Sequence, residues 1–228
     1  RLRAKKDDSK FIEEMRRDGM LIAVTQVEHD YPHCERCRSP VVFRTTKQWF
    51  FKVEDLKEKM VKANESIDWV PDSGKNAFRS WLNNLRDNSI TKQRYWGAPV
   101  PIWKCSKCNY YEVIGGVKEL EKRAGKLPEN LHKPWIDGVE FNCPKCKAVM
   151  KRVPDVLDVW IDAGSASWNC LDYPSRTDLY EKLFPADFIL EGKDQIRGWF
   201  NLLFICSTLG MAKPPFKAVY MHGFLTDV

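Results

Sequence analysis

Long apolar runs are missing from this chain. The longest, WFNLLFICSTLGMA at 199–212, is fourteen residues and is broken by Asn201, Ser207 and Thr208, short of the roughly 20 that a membrane-crossing helix needs. No membrane association is expected. Blocks of like charge are missing too, and the formal net charge of +6 arises from 37 basic against 31 acidic residues. So mild a bias permits a polyanionic partner without demanding one. Internal repeats and low-complexity tracts are absent, which excludes a solenoid or a long linker. The opening RLRAKKDDSK contains neither an initiating Met nor an apolar signal core, so the expectation is an excised internal piece without a secretory leader. What remains is 43% hydrophobic and 30% charged, an ordinary globular mixture. Eight cysteines without a leader favour reduced thiols and metal ligation over disulfides.

Apolar spacing predicts a helix over 9–17, with Ser9 as N-cap and Gly19 as stop, and a strand over LIAVTQV at 21–27. Two extended segments follow at 40–46 and 48–53, rich in Val, Phe and Trp. Leu56, Met60 and Ala63 predict a second helix. Phe78, Trp81, Leu82 and Leu85 recur at i, i+3, i+4 and i+7, a third helix with one stripe set to pack on a core. From Pro99 to Met150 the texture changes to short strands, glycines, prolines and four cysteines, the mark of a separate small module. Beyond Pro154 the pattern reads as α/β. Val156 to Ile161 is extended, a polar loop follows, Asp187 to Glu191 is extended, an apolar helix starts near Gln195, and Lys217 to Met221 is extended. Strand, helix and strand in that order suggest a right-handed parallel crossover.

Cys105-x-x-Cys108 and Cys143-x-x-Cys146 are two knuckles separated by 34 residues. Each lets two thiolates converge, and together they complete the tetrahedral sulfur shell of structural zinc. Lysines 104, 107, 145 and 147 would ease the thiolate charge. The competing readings are coincidental buried cysteines or a redox pair. A third pair, Cys34 and Cys37 in PHCERC, finds no free mate and reads as a half-site whose other half lies outside these residues, unless His29 and His33 supply nitrogen ligands. Cys206, within the apolar helix, reads as a core thiol.

The motifs QRYWGAPVPIW at 93–103, DVLDVWIDAGS at 155–165 and LEGKDQIRGWF at 190–200 resemble those of the isoleucyl-tRNA synthetases, of archaeal type. YPHCERC, QWFFKV, RDNSITKQRYWG and a closing MHGFLTD stand around them in the family's order. The resemblance covers nearly the whole chain. Valyl and leucyl relatives share the architecture but not the combination DQ-x-RGWF.

The resemblance implies an α/β fold: the second half of a class I Rossmann-type catalytic domain carrying an inserted small zinc-ribbon module. Residues 1–53 would be the end of an editing insertion with the half knuckle, 54–98 a helical connecting region, 99–154 the zinc-ribbon module, and 155–228 the second half of the catalytic domain. The implied reaction joins isoleucine to ATP, with Mg2+, and passes the acyl group to tRNA(Ile). Glu191, Gly192, Asp194 and Gln195 would hold the aminoacyl-adenylate. A carboxylate accepts ribose hydroxyl protons, and a glycine lets the ligand approach the backbone. Trp160 and Trp199 would wall the isoleucine side chain, although core aromatics are the plain reading. His222 and Gly223 would border the adenine. Arg94 would meet phosphate or tRNA, or else stack on Tyr95 and Trp96. No His-Ile-Gly-His or Lys-Met-Ser-Lys-Ser motif occurs in the 228 residues, so this piece alone is expected to be inactive. The complete enzyme is expected to be monomeric and cytoplasmic. A valyl- or leucyl-type synthetase fragment is the alternative within the class, and a non-catalytic zinc-ribbon RNA-binding module is the alternative from another class.

Overall fold

The computed structural model describes residues 8–225, which divide into two compact units, one ending at Lys47 and the other starting at Gln48. The first unit contains helix α1 (Asp8–Arg17). A knuckle turn at Cys34 follows it, closed by a bridge between His33 and Pro40. The strand expected over 21–27 does not form. Ile22, Val24 and Val27 are exposed, and no segment among the described residues pairs with them to give the hydrogen-bonding edge that β-prone residues need. Of the two expected extended segments, only Phe50–Phe51 becomes a strand, and it lies in the second unit.

In the second unit β1 (Phe50–Phe51) pairs antiparallel with β3 (Asn88–Ser89). Between them run α2 (Lys57–Glu65), β2 (Asp68–Val70) and α3 (Ser73–Asn83). Strand β4 (Thr91–Lys92) pairs antiparallel with β9 (Val156–Leu157). These two strands bracket a small module built from β5 (Ile102–Cys105), β6 (Tyr111–Val113), α4 (Val117–Ala124), β7 (Phe141–Asn142) and β8 (Val149–Arg152). Its sheet order is β6-β5-β8-β7. Trp103, Ile114, Leu120, Ile136, Phe141 and Met150 give it a core of its own. Arg152 is closed into the module's edge. Its Nε donates to Asp137 at 2.9 Å, and Nη1 donates to the carbonyls of Val100 and Asp155.

After the module come α5 (Val159–Gly164), α6 (Ala166–Asn169), α7 (Thr177–Leu183), β10 (Ile189–Gly192), α8 (Trp199–Gly210) and β11 (Ala218–His222). Strands β10 and β11 pair in parallel as expected. A third strand joins them that the sequence did not suggest: β2 pairs in parallel with β11, giving the order β10-β11-β2. Its centre is Trp69, 4% exposed, whose indole donates to Asn64 Oδ1 at 3.0 Å. The core expected for the third helix is present, with Phe78 and Leu82 packed beside Phe200, Leu203, Phe204 and Phe216.

Two expectations for 156–186 are corrected. Extension stops at Leu157 because Asp158, still extended, accepts the amide of Trp160 through its carboxylate and starts a helix. The supposed polar loop contains α6 and α7. Helix α8 begins at Trp199 rather than near Gln195, after a 3-10 turn at Lys193–Ile196. Helix α5 packs on α8 at close range, since a Cβ on Gly164 would lie 2.8 Å from both Leu202 O and Cys206 Sγ. Cys206 is a core thiol, and burial pushes its pKa up to about 12. No helix among the described residues is long and apolar enough to cross a membrane.

Candidate nucleotide site and metal centre

The parallel sheet has a carboxyl edge, and Gly192, Asp194 and His222, three of the expected residues, meet there. Gly192, the last residue of β10, lies opposite His222, the last of β11. A Cβ on Gly192 would sit 2.5 Å from Asp194 Oδ1 and 3.2 Å from the His222 ring. No side chain other than glycine's fits without displacing one of them. Asp194 accepts from Gln195 Nε2 at 2.8 Å, and Gln195 Oε1 accepts the amide of Trp199 at 2.9 Å. The same chain of bonds therefore aligns the acid and caps the start of α8. His222 Nδ1 is 2.6 Å from Gly223 O.

The two tryptophans flank the turn that follows. The Trp199 indole donates to Ala163 O at 3.0 Å, which ties α8 to α5. Trp160, 41% exposed, comes within 3.4 Å of where a Cβ on Gly198 would stand. Glu191 is exposed, and its Oε2 accepts the amide of Gly192 at 3.0 Å.

A cavity of about 940 Å3 opens beside this turn, lined by Asp194, Lys193 and Arg197, by Met221, by α3 through Ser73, Ser80 and Trp81, and by Asn84 just past its end. Glu191, Trp160 and Trp199 do not line it. The Arg197 guanidinium lies 5.5 Å from the centre of the Trp81 ring. Two cations, one carboxylate, two hydroxyls and an indole suit a ligand that combines anionic groups, hydroxyls and a flat ring. The α3 wall is the part that sequence reasoning missed. Its signal was the unread strand β2, which delivers the start of α3 to the same edge as Gly192 and His222.

The cysteine knuckles form the second centre. The β5–β6 turn carries Cys105 and Cys108, and the β7–β8 turn carries Cys143 and Cys146. Pairing of Cys105 with Met150 brings both turns to one end of the sheet. The four thiol sulfurs all lie within 4.8 Å of one another, with Cys105 to Cys146 at 3.4 Å and Cys108 to Cys143 at 3.7 Å. Tetrahedral bonds of about 2.3 Å to one ion would set sulfurs about 3.8 Å apart, so the arrangement fits a metal ion. The Cys105 pKa is lowered to about 6 by the amides of Cys108 and Lys107. Cys108 moves up to about 11. The amide of Tyr110 opposes that rise, and burial and the neighbouring thiols drive it. Among the described residues this is the one group of three or more such side chains able to hold a metal ion. Cys34 and Cys37 acquire no third ligand among the described residues. His29 and His33 turn their Nδ1 atoms to the carbonyls of Asp30 and Tyr31, each at 2.8 Å.

The fold and these motifs define a class. The family model of the class I tRNA synthetases (I, L, M and V) matches residues 5–228, and the chain belongs to that family. Among individual proteins, the chain is 44% identical to the isoleucine–tRNA ligase of Methanopyrus kandleri over 96% of its own length, and 44% identical to that of Archaeoglobus fulgidus over 98%. It spans 22% of the length of each. The methionyl-tRNA synthetase of Mycobacterium tuberculosis, solved with methionyl-adenylate, superposes with a TM-score of 0.53 over 89% of this chain and 31% of that one; at 18% identity the likeness is one of fold.

Proposed function

We propose that these residues are a central portion of an isoleucine–tRNA ligase, which activates isoleucine with ATP and Mg2+ to the aminoacyl-adenylate and then charges tRNA(Ile). The observation that carries the reading is the meeting of Gly192, Asp194 and His222 at the carboxyl edge of the parallel sheet, where open α/β sheets bind nucleotides. The names of the relatives at 44% identity favour isoleucine over valine or leucine.

In this reading Asp194 and Glu191 accept ribose hydroxyls, Gly192 admits the sugar to the backbone, and Gln195 holds Asp194 in place. Trp160 and Trp199 exclude water around the branched side chain, and His222 and Gly223 border the base. Such a site works by positioning and charge stabilisation, without a covalent nucleophile. Cys105, Cys108, Cys143 and Cys146 hold a structural zinc. Cys34 and Cys37 are half of another knuckle pair. The complete enzyme is a cytoplasmic monomer, and the 228 residues alone do not form adenylate.

The test is isoleucine-dependent exchange of pyrophosphate into ATP by the full-length protein. Asp194→Ala should lower kcat/KM roughly 10- to 150-fold, the worth of a charge-assisted hydrogen bond. Exchange driven equally by valine or leucine, or unaffected by Asp194→Ala, would reject the assignment.

A further inference from the structure

Helix α3, one wall of the large cavity, is seated beside strand β2 by two buried residues that do not line the cavity, Asn64 and Gly74. Asn64 ties three elements together. Its Oδ1 accepts the Trp69 indole of β2 at 3.0 Å, and its Nδ2 donates to Lys75 O in the first turn of α3 at 3.2 Å. A buried amide bonded at both ends, here on α2, holds its partners in one relation. Gly74 then decides how near α3 can come. A Cβ there would stand 2.6 Å from Trp69 Cε3 and 3.3 Å from Met221 Cε, so the helix would retreat by about 1 Å to reach ordinary carbon contact. Trp69 has no room to turn aside. Its ring centre lies 5.5, 5.7 and 6.5 Å from those of Phe78, Phe200 and Phe216, all three buried. Met221 lines the cavity and is the residue before His222.

We infer that Asn64 and Gly74 are positioning residues for the nucleotide and not for the amino acid: they fix α3, and through α3 the width of the cavity beside Asp194. The amino-acid side is held by other elements. Trp160 and Trp199 do not line the cavity, and the Trp199 indole is tied to Ala163 of α5 at 3.0 Å. A binding wall displaced by about 1 Å costs on the order of 100-fold in a site that works by positioning, so a shift of α3 should be felt by one substrate alone. That the cavity receives ATP rests on the ligase reading, whereas the seating of α3 does not.

The measurement is pyrophosphate exchange by the full-length protein with ATP and isoleucine varied in turn, beside calorimetric titration with ATP. Gly74→Ala should raise KM and Kd for ATP roughly 10- to 100-fold and leave KM for isoleucine within about 2-fold. Adding Trp69→Phe removes the ring atoms that the new Cβ would meet and should bring the ATP constants back toward those of the unsubstituted protein. Gly164→Ala is the control, since it crowds α8 without touching α3, and it should leave KM for ATP unchanged. Should Gly74→Ala fail to fold, Asn64→Ala, which introduces no clash, decides the point by the same split. Equal rises in both KM values, or a rise in KM for ATP as large in Gly164→Ala, would overturn the inference, because general loosening would account for them. Unchanged ATP constants in Gly74→Ala would overturn it too. Gly74-dependent ATP binding in a protein without isoleucine-dependent exchange would reject the ligase reading and leave the nucleotide wall standing, and no ATP binding by the unsubstituted protein would sink both.

Discussion

The turn at Cys34 and the turns at Cys105 and Cys143 share one backbone design and differ in what surrounds them. In each, the amide of the first cysteine donates to the carbonyl five residues on, at 2.8, 2.7 and 2.8 Å respectively. The residue four positions on has a positive φ, +58° at Arg38, +58° at Asn109 and +62° at Lys147. Five or six residues are therefore enough to shape a knuckle. Closing a metal site takes more. The Cys105 and Cys143 turns are brought together by β5–β8 pairing over a buried core. In the first unit none of residues 8–47 is buried, and the Cys34 turn stands without a mate among the described residues.

Breaking the closed site should have the largest effect. Cys143→Ser leaves three sulfurs, and structural zinc sites of this type contribute about 10–16 kcal/mol of apparent binding free energy at pH 7. The variant should lose its metal by elemental analysis. Amides of β5 and β8 should lose hydrogen-exchange protection, and those of β10 and β11 should keep it. Retention of metal, or loss of protection across both regions, would contradict a module with its own closure. Acid should act in the same direction. Without metal the pKa of Cys105, about 6, lies below the ordinary thiol value, and protons compete with a bound ion for the same sulfur. Metal release should thus rise on acidification, as a chromogenic chelator would detect.

A smaller break lies at the module's edge. Asp137→Ala removes the carboxylate from Arg152, whose side chain is 1% exposed, and leaves the guanidinium with backbone carbonyls alone. An uncompensated buried charge costs about 3 kcal/mol, readable as a lowered denaturation midpoint. Outside the module, Gly164→Ala should cost about 1–3 kcal/mol by forcing α5 off α8, since its Cβ would meet Leu202 O and Cys206 Sγ at 2.8 Å. Zinc content should stay unchanged, which separates this loss from that of Cys143→Ser.

The same contrast between local and non-local explains what could be read in advance. The knuckles, α1 and α3 are written in spacing over a dozen residues or fewer, and α3 appears with its stripe of Phe78 and Leu82 buried as expected. Strands β10 and β11 were visible as short apolar runs. Strand β2 was not, because three residues around Trp69 acquire meaning only when β11, far along the chain, pairs with them. With it went the α3 wall of the cavity. The β-prone Val-Trp-Ile at 159–161 becomes helical because Asp158 caps it and α8 supplies a surface, and tertiary packing outweighs the few tenths of a kcal/mol of local propensity. At 21–27 the opposite holds, and β-prone residues without a partner stay irregular.

The double substitution Cys34→Ser and Cys37→Ser should have the smallest effect. In the 228-residue chain it removes no buried contact, since Cys37 is exposed and Cys34 only half-buried, and changes at such positions fall within about ±0.5 kcal/mol. The hydrogen bonds that shape the turn run between backbone atoms and survive the change. The side chain of Ser39 is the main influence holding the Cys37 pKa below the ordinary thiol value. In the full-length protein, a mate from outside these residues would turn the same substitution into the loss of a whole metal equivalent. Elemental analysis of both proteins separates the cases. One equivalent lost in the longer chain and none in the shorter identifies a half-site, and no loss in either leaves the third knuckle a turn whose shape needs no metal.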